Sequence, residues 1–283
     1  MNAVPIDFCE KVCQFNLHDN IRLLGGRWNR AQIRFGKKIS YGFKLSPCSN
    51  ANEWTYSIGE WSFEEFRQKD RLLVRISDLY FGALSTHSSA YKIVFDDLLN
   101  CKLPYLIAQM TTNVTLWAPD DLPSGKWRDE ASLIIETIQS CRTFSNITLH
   151  NWGGKSEAFV IRALASDAAK SISLRGTWPM TWKTHFLDFI KRSSGELRLF
   201  TSVPWDMEML HAAFNKWSSG EVDALSCRGF LGFERSEFRM IRPETRRGSI
   251  HTEEFLWKDD LGREIRFSLH EIDNPVFNLY TYS

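Results

Sequence analysis

Between residues 146 and 224 the chain repeats one short pattern of apolar and polar positions. Asn146-Ile-Thr-Leu149, Ser171-Ile-Ser-Leu174, Glu196-Leu-Arg-Leu199 and Glu221-Val-Asp-Ala224 each alternate, and their first apolar residues, Ile147, Ile172, Leu197 and Val222, fall 25 positions apart. Alternation at period two describes a strand with one buried face, so Ile147 and Leu149 turn toward a core and Thr148 turns away. Between the strands, apolar residues at spacings of three and four predict amphipathic helices. These run over 155–168 (Phe159, Ile161, Ala163, Leu164), 181–193 (Trp182, Phe186, Phe189, Ile190) and 206–218 (Met207, Leu210, Ala213, Phe214, Trp217).

A single strand-helix unit cannot bury its apolar face alone, so such units stack and need capping segments at both ends. Parallel stacking at the 25-residue interval sets the outward residues Thr148, Ser173, Arg198 and Asp223 in a row about 5 Å apart. These four are the expected partner-binding residues. Read as uncharged, uncharged, basic and acidic, the row predicts a mixed polar contact.

Earlier units extend the pattern. Asn113-Val-Thr-Leu116 and a helix over 129–140, with Leu133, Ile134 and Ile138 inward, form one at a longer interval of 33 residues from Val114 to Ile147, with 118–126 as an inserted loop. A strand over 72–78 and a helix over 91–100 precede it. The expected array spans 71–235. Residues 37–70 read as N-terminal capping strands (39–45 and 54–58), and 236–283 as a C-terminal cap. In that cap, 254–257 and 264–269 flank Asp259-Asp-Leu-Gly262 as a β-hairpin, and Arg246-Arg-Gly-Ser249 reads as an exposed loop.

Five residues beyond each first apolar position stand Trp152, Thr177, Ser202 and Cys227. A leucine-rich repeat places Asn, Cys, Thr or Ser there, where the side chain satisfies backbone groups as the chain leaves the strand. Thr177, Ser202 and Cys227 fit, Trp152 does not, and the leading leucine of the repeat is replaced by Phe144, Ala169, Ser194 and Ser219. The segment resembles a degenerate leucine-rich repeat, and the resemblance implies an α/β strand-helix solenoid.

Charge removes some partners from consideration. Thirty-five Lys and Arg against 34 Asp and Glu leave a net charge of +1, so no global field favours nucleic acid or an anionic membrane. No apolar run reaches the roughly 18 residues of a membrane span, and residues 1–10 carry Asp7 and Glu10 with no basic n-region. Six scattered cysteines fit free thiols in a reducing compartment. A cytoplasmic or nuclear protein is expected, with neither nucleic acid nor membrane as partner.

Catalytic, metal and cofactor chemistry is not expected either. Trp152-Gly-Gly-Lys-Ser156 has the end of a phosphate-binding loop, but Leu149 occupies the position of the loop's first glycine. Cys9 and Cys13 have no neighbouring histidine or second cysteine pair, the seven histidines are isolated, and acid pairs such as Asp120-Asp121 project apart on surfaces. Most of the eleven Trp and twenty Phe sit at core spacing. Trp117 and Trp152 lie past strand ends, where either a binding edge or burial accommodates them.

The first thirty residues carry a second resemblance. Val4-Pro5-Ile-Asp7-Phe8 places proline and an acid in a first helical turn, and Ile21, Leu24 and Trp28 share one face of a second helix over 19–28. Val4, Pro5, Asp7 and Val12, then Ile21, Leu24 and Trp28, are similar to the opening Leu-Pro-x-Glu and the later Leu-x-x-Val-x-x-x-Trp of the F-box, in a segment about four residues shorter than that module. Followed by degenerate repeats, residues 1–36 resemble F-box-like proteins of the divergent nematode kind. That resemblance implies a substrate-recognition receptor of a cullin-RING ubiquitin ligase. Val4, Pro5, Phe8, Val12, Ile21 and Leu24 would meet the Skp adaptor, while the repeats hold a target protein. A repeat scaffold whose N-terminal helices only cap the array is the alternative.

Overall fold

A computed structural model describes residues 39–48, 53–69, 74–82, 90–123, 125–221, 226–233, 245–249, 252–258, 262–270 and 276–282. The chain divides into two compact units, 1–79 with 83–112, and 80–82 with 113–283. Residues 1–36, with all six expected adaptor contacts, lie outside the described residues.

In the first unit, β1 (Ile39–Pro47) and β2 (Glu53–Ile58) pair antiparallel with Phe43 opposite Ile58. β4 (Tyr91–Val94) adds antiparallel to the far side of β2, Trp54 opposite Ile93. The residues expected to open a helix at 91 therefore begin with a strand. The segment Tyr-Lys-Ile-Val combines an aromatic with two β-branched residues, which favours a strand, and only Ile93 of the four is buried, against β2. Helical structure starts at Phe95 and passes through one wide turn into α2 (Leu103–Gln109). The short α1 (Phe63–Arg67) is fixed by a capping box in which Ser62 and Glu65 satisfy each other's backbone N–H. Phe43, Leu45, Trp54 and Ile58 are fully buried in its core.

The second unit is built on parallel strands joined by helices. Its elements are β5 (Met110–Ala118, entering the unit at Asn113), α3 (Gly125–Gln139), β6 (Thr143–His150), α4 (Gly154–Ala165), β7 (Ser171–Gly176), α5 (Lys183–Arg192), β8 (Glu196–Thr201), α6 (Met207–Ser218) and β9 (Ser226–Phe230). Strands β10 (Thr245–Ser249), β11 (Thr252–Lys258), β12 (Glu264–His270) and β13 (Val276–Tyr282) follow. The strand order is β5-β6-β7-β8-β9-β13-β12-β11-β10, parallel from β5 to β9 and antiparallel from β9 to β10. The class is α/β, with a mixed sheet.

Ile147 stands beside Ile172 and Ile172 beside Leu197, with Leu149, Leu174 and Leu199 in the next inward row. All six are buried, each such side chain contributing about 1.5–3 kcal/mol of apolar transfer. The helices cover these rows with Phe159, Phe186, Phe189 and Leu210. Ile161, expected inward, is exposed, and its neighbour Val160 joins Phe159, Ala163 and Leu164 on the buried stripe of α4.

The third interval differs. Leu197 faces Cys227 and Arg198 faces Arg228, so the strand after α6 is Ser226–Phe230 and the step is 30 residues. Val222 and Asp223 lie outside the described residues. Glu221-Val-Asp-Ala224 has no second large apolar side chain to anchor an inward row. In β9 the inward pair is Cys227 and Gly229, and Trp205 takes the space a side chain at Gly229 would need: a Cβ there would stand 2.7 Å from Trp205 Cδ1 and closer still to the Leu199 carbonyl. Cys227 is thus a buried strand residue and not a turn residue. At the other end, Leu116 and not Val114 neighbours Ile147, and the β5–β6 register shifts by one residue between Val114 and Thr115.

Residues 246–249, expected as a loop, belong to β10, paired with β11. The 254–257 and 264–269 segments pair as β11 and β12, and β13 joins this meander to β9.

Helix ends in this unit are closed by cations from the following unit. The Arg192 guanidinium donates to the carbonyls of Leu164 and Ala165 at the end of α4. Lys216 Nζ donates to the carbonyls of Ile190, Lys191 and Ser193 at 3.2, 3.1 and 2.7 Å. Arg263 donates to the Trp217 carbonyl at 3.1 Å. Terminal carbonyls have no partner within their own helix and carry the negative end of its dipole, so a cation satisfies both demands. Among the described residues no helix is long and apolar enough to cross a membrane.

Candidate functional site

The face of β5–β9 turned away from the helices is set by the same alternation that fills the core. One outward row runs Trp117, Thr148, Ser173, Arg198, Arg228, each beside the next in register. Two residues along, a second row carries His150, Arg175 and Phe200, with the Phe230 ring 5.7 Å from that of Phe200. Together with Asp120 and Asp121 just beyond β5, these side chains line an open groove of about 650 Å³.

Three of the four expected partner-binding residues are here. Thr148, Ser173 and Arg198 are adjacent rungs, as the constant interval requires. Asp223 lies outside the described residues, and the rung beside Arg198 belongs to Arg228. With that replacement the outward row ends basic, basic instead of basic, acidic.

Thr148 and Ser173 form the floor. Both are buried, walled in by longer neighbours on either side, and among the described residues neither hydroxyl has a hydrogen-bond partner within the protein. Arg175 and Arg228 are exposed and both lean on Phe200, with guanidinium carbons 6.0 and 5.4 Å from the ring centre. Neither makes an ion pair among the described residues. Arg198 is tied at 2.7 Å to Glu196, which also accepts from Ser171 at 2.8 Å and Ser226 at 2.7 Å. Burial alone would raise the Glu196 carboxyl, but the combined hydrogen bonds of Ser226, Arg198 and Ser171 hold it below the ordinary glutamate range. Glu196 is therefore an ionised brace that orients Arg198 from the neighbouring outward position.

The opposite end of the groove is acidic. Asp121 pairs with Arg128 at 2.8 Å and stands 3.7 Å from His150 Nδ1. Asp120 is exposed, and its backbone carbonyl accepts from the Trp152 indole at 3.3 Å.

The two tryptophans at strand ends have opposite fates. Trp117 is 45 % exposed and walls the groove, whereas Trp152 is buried against Phe81. Trp152 is one of three indoles that close the strand ends: Trp178 donates to the Arg175 carbonyl at 2.7 Å and Trp205 to the Arg228 carbonyl at 3.2 Å. The backbone-satisfying work expected five residues past each strand start is carried by Asn151, which donates to the Thr177 carbonyl, and by Ser202, which bonds both ways with the Trp178 backbone.

Ser156, in the segment that ends like a phosphate-binding loop, is buried and engaged internally, accepting from Trp152 N and donating to the Gly153 carbonyl. The Cys227 thiol lies in the core, where burial pushes its pKa far up and leaves it unreactive. Arg175, Phe200 and His150 were legible two positions after Ser173, Arg198 and Thr148 by the alternation rule. Arg228 had no such signal, because the interval leading to it changes.

Compared with protein-family models, curated proteins and solved structures, the chain matches none of them.

Proposed function

We propose that this chain acts by holding another protein on the outward face of its strand ladder, and that it serves as the target-recognition part of a cullin-RING ubiquitin ligase. The observation that carries the first half is the open groove over Thr148, Ser173, Arg198 and Arg228. Among the described residues its floor hydroxyls have no hydrogen-bond partner and two of its guanidiniums no ion pair, and polar groups that a fold does not satisfy itself are available to a ligand. Regularly spaced strands suit an extended partner surface, as in strand-helix solenoids.

The second half rests on the likeness of residues 4–28 to an F-box. Val4, Pro5, Phe8, Val12, Ile21 and Leu24 present the apolar i, i+3, i+4 anchors that a helix needs to dock in an adaptor groove. Two measurements test the two halves separately. Co-purification with the Skp adaptor should occur for wild type and fail for Pro5→Ala combined with Val12→Asp; absence of adaptor from the wild-type sample ends the ligase reading and leaves a repeat scaffold. Proximity labelling in cells should give a set of neighbours that is lost when Ser173→Trp fills the groove floor. An unchanged set would remove the outward face as the binding surface.

A further inference from the structure

The groove is electrically polar along its length. Over β5 and β6 it offers the exposed Trp117 ring with Asp120 and Asp121; over β7 to β9 it offers Arg175, Arg198 and Arg228. A net charge of +1 for the whole chain conceals this local separation.

The three arginines stand on three neighbouring strands. Arg175 and Arg228 are on strands two apart, about 10 Å across the sheet at the usual strand spacing, and each rests on Phe200. Arg198, between them, is already half neutralised by Glu196. Arg175 and Arg228 each lack an ion pair among the described residues, so this end of the groove has place for two negative charges. Two carboxylates on an extended chain, at alternate or third positions and about 3.3 Å per residue, span the distance between Arg175 and Arg228. A guanidinium takes a carboxylate in a bidentate fork.

At the other end the exposed Trp117 indole and the Asp120 carboxylate line the groove with Asp121, which is already paired with Arg128, and a ring face with an acid is a seat for a cation. From Asp121 beside β6 to Arg228 on β9 is three strand spacings, about 14 Å, or roughly four to five extended residues. Between the two ends, Thr148 and Ser173 present free hydroxyls to a peptide backbone lying across the floor.

We infer that the groove binds an extended segment of the partner protein that carries a Lys or Arg at one end and two Asp or Glu residues beyond it, the nearer one to two residues away and the farther four to five. This rests on the outward face being the partner-binding surface, and it names the chemistry of what that surface takes.

The test is selection of peptides from a displayed random decapeptide library on the full-length protein, followed by affinity measurement with dye-labelled versions of the selected sequences. The expected yield is peptides with a basic residue one to two positions from a first acid and four to five from a second, weakened about tenfold by Arg228→Glu or Arg175→Glu. Exchange of the facing acid for Lys in the peptide should restore binding to the Arg228→Glu protein. Selected peptides that are apolar or of one charge sign overturn the inference, as does indifference to both arginine reversals. Tighter binding by tenfold or more when one phosphoserine replaces the acid pair overturns the carboxylate assignment in favour of a phosphoryl group. A single-stranded oligonucleotide that displaces the peptides at lower concentration assigns the groove to nucleic acid instead. Peptides blocked by Ser173→Trp but lacking the charge pattern sink this inference and leave the outward face standing as the binding surface. Peptides that bind despite Ser173→Trp sink both.

Discussion

Strands β6 to β8 and strand β9 solve the same packing problem in different ways. The first three turn Ile147, Ile172 and Leu197, then Leu149, Leu174 and Leu199, toward the helices, two full apolar rows in register. The fourth continues those rows with Cys227 and Gly229 and has the missing volume supplied by Trp205 from the loop before α6. On the outward face the division falls one strand earlier: β6 and β7 contribute hydroxyls to the first row, β8 and β9 contribute guanidiniums. A constant interval holds where each strand brings its own core side chains. Where a loop residue fills the core, the strand is released from the interval, and that is where a second arginine joins Arg198.

The sharpest way to break this contrast is to exchange the two solutions. Leu174→Ala removes buried volume from a filled row and should lower unfolding free energy by about 3–4 kcal/mol, while Gly229→Ala adds one methyl where Trp205 already sits and should cost about 2–3 kcal/mol. Denaturant titration of both variants reads the difference. If Gly229→Ala is neutral, Trp205 does not stand in for a side chain and the two regions are packed alike.

A smaller effect is expected at the joint between α5 and α6. Lys216 is only 7 % exposed, and its ammonium serves three carbonyls. Lys216→Met keeps most of the volume and leaves those carbonyls bare, at about 1–2 kcal/mol. Hydrogen exchange at the end of α5 should accelerate in this variant while α4, closed by Arg192, stays protected.

The smallest effect concerns pH. Glu196 is held below the ordinary carboxylate range in the folded state, so its contribution is fully present above the unfolded value of about 4.3 and is lost as pH falls through the lower folded value. Wild type should therefore lose about 1 kcal/mol relative to Glu196→Gln on acidification below pH 4. Thermal melts of the two proteins from pH 7 to pH 3 measure it; parallel curves would mean that Glu196 braces Arg198 with no net linkage.

The ladder from β6 to β8 was legible in the chain because alternation and a fixed interval are local and each confirms the other. Thr148, Ser173 and Arg198 follow directly, and so do Arg175 and Phe200 once the alternation is carried two residues further. The fate of Trp117 and Trp152 was not legible: both follow strands, and only the position of Phe81 and of the Asp120 carbonyl decides that Trp152 is buried and Trp117 walls the groove.

By itself, then, the order of residues determined which side of each strand meets the helices, because side-chain direction alternates with the backbone whatever the strand is paired to. Tertiary structure alone decided that Arg228 and not Asp223 stands beside Arg198. Strand pairing is a contact between distant residues, and the link before β9 carries no periodic signal of its length, so only the packed position of Trp205 against Gly229 settles the register and with it the sign of the charge at that end of the groove.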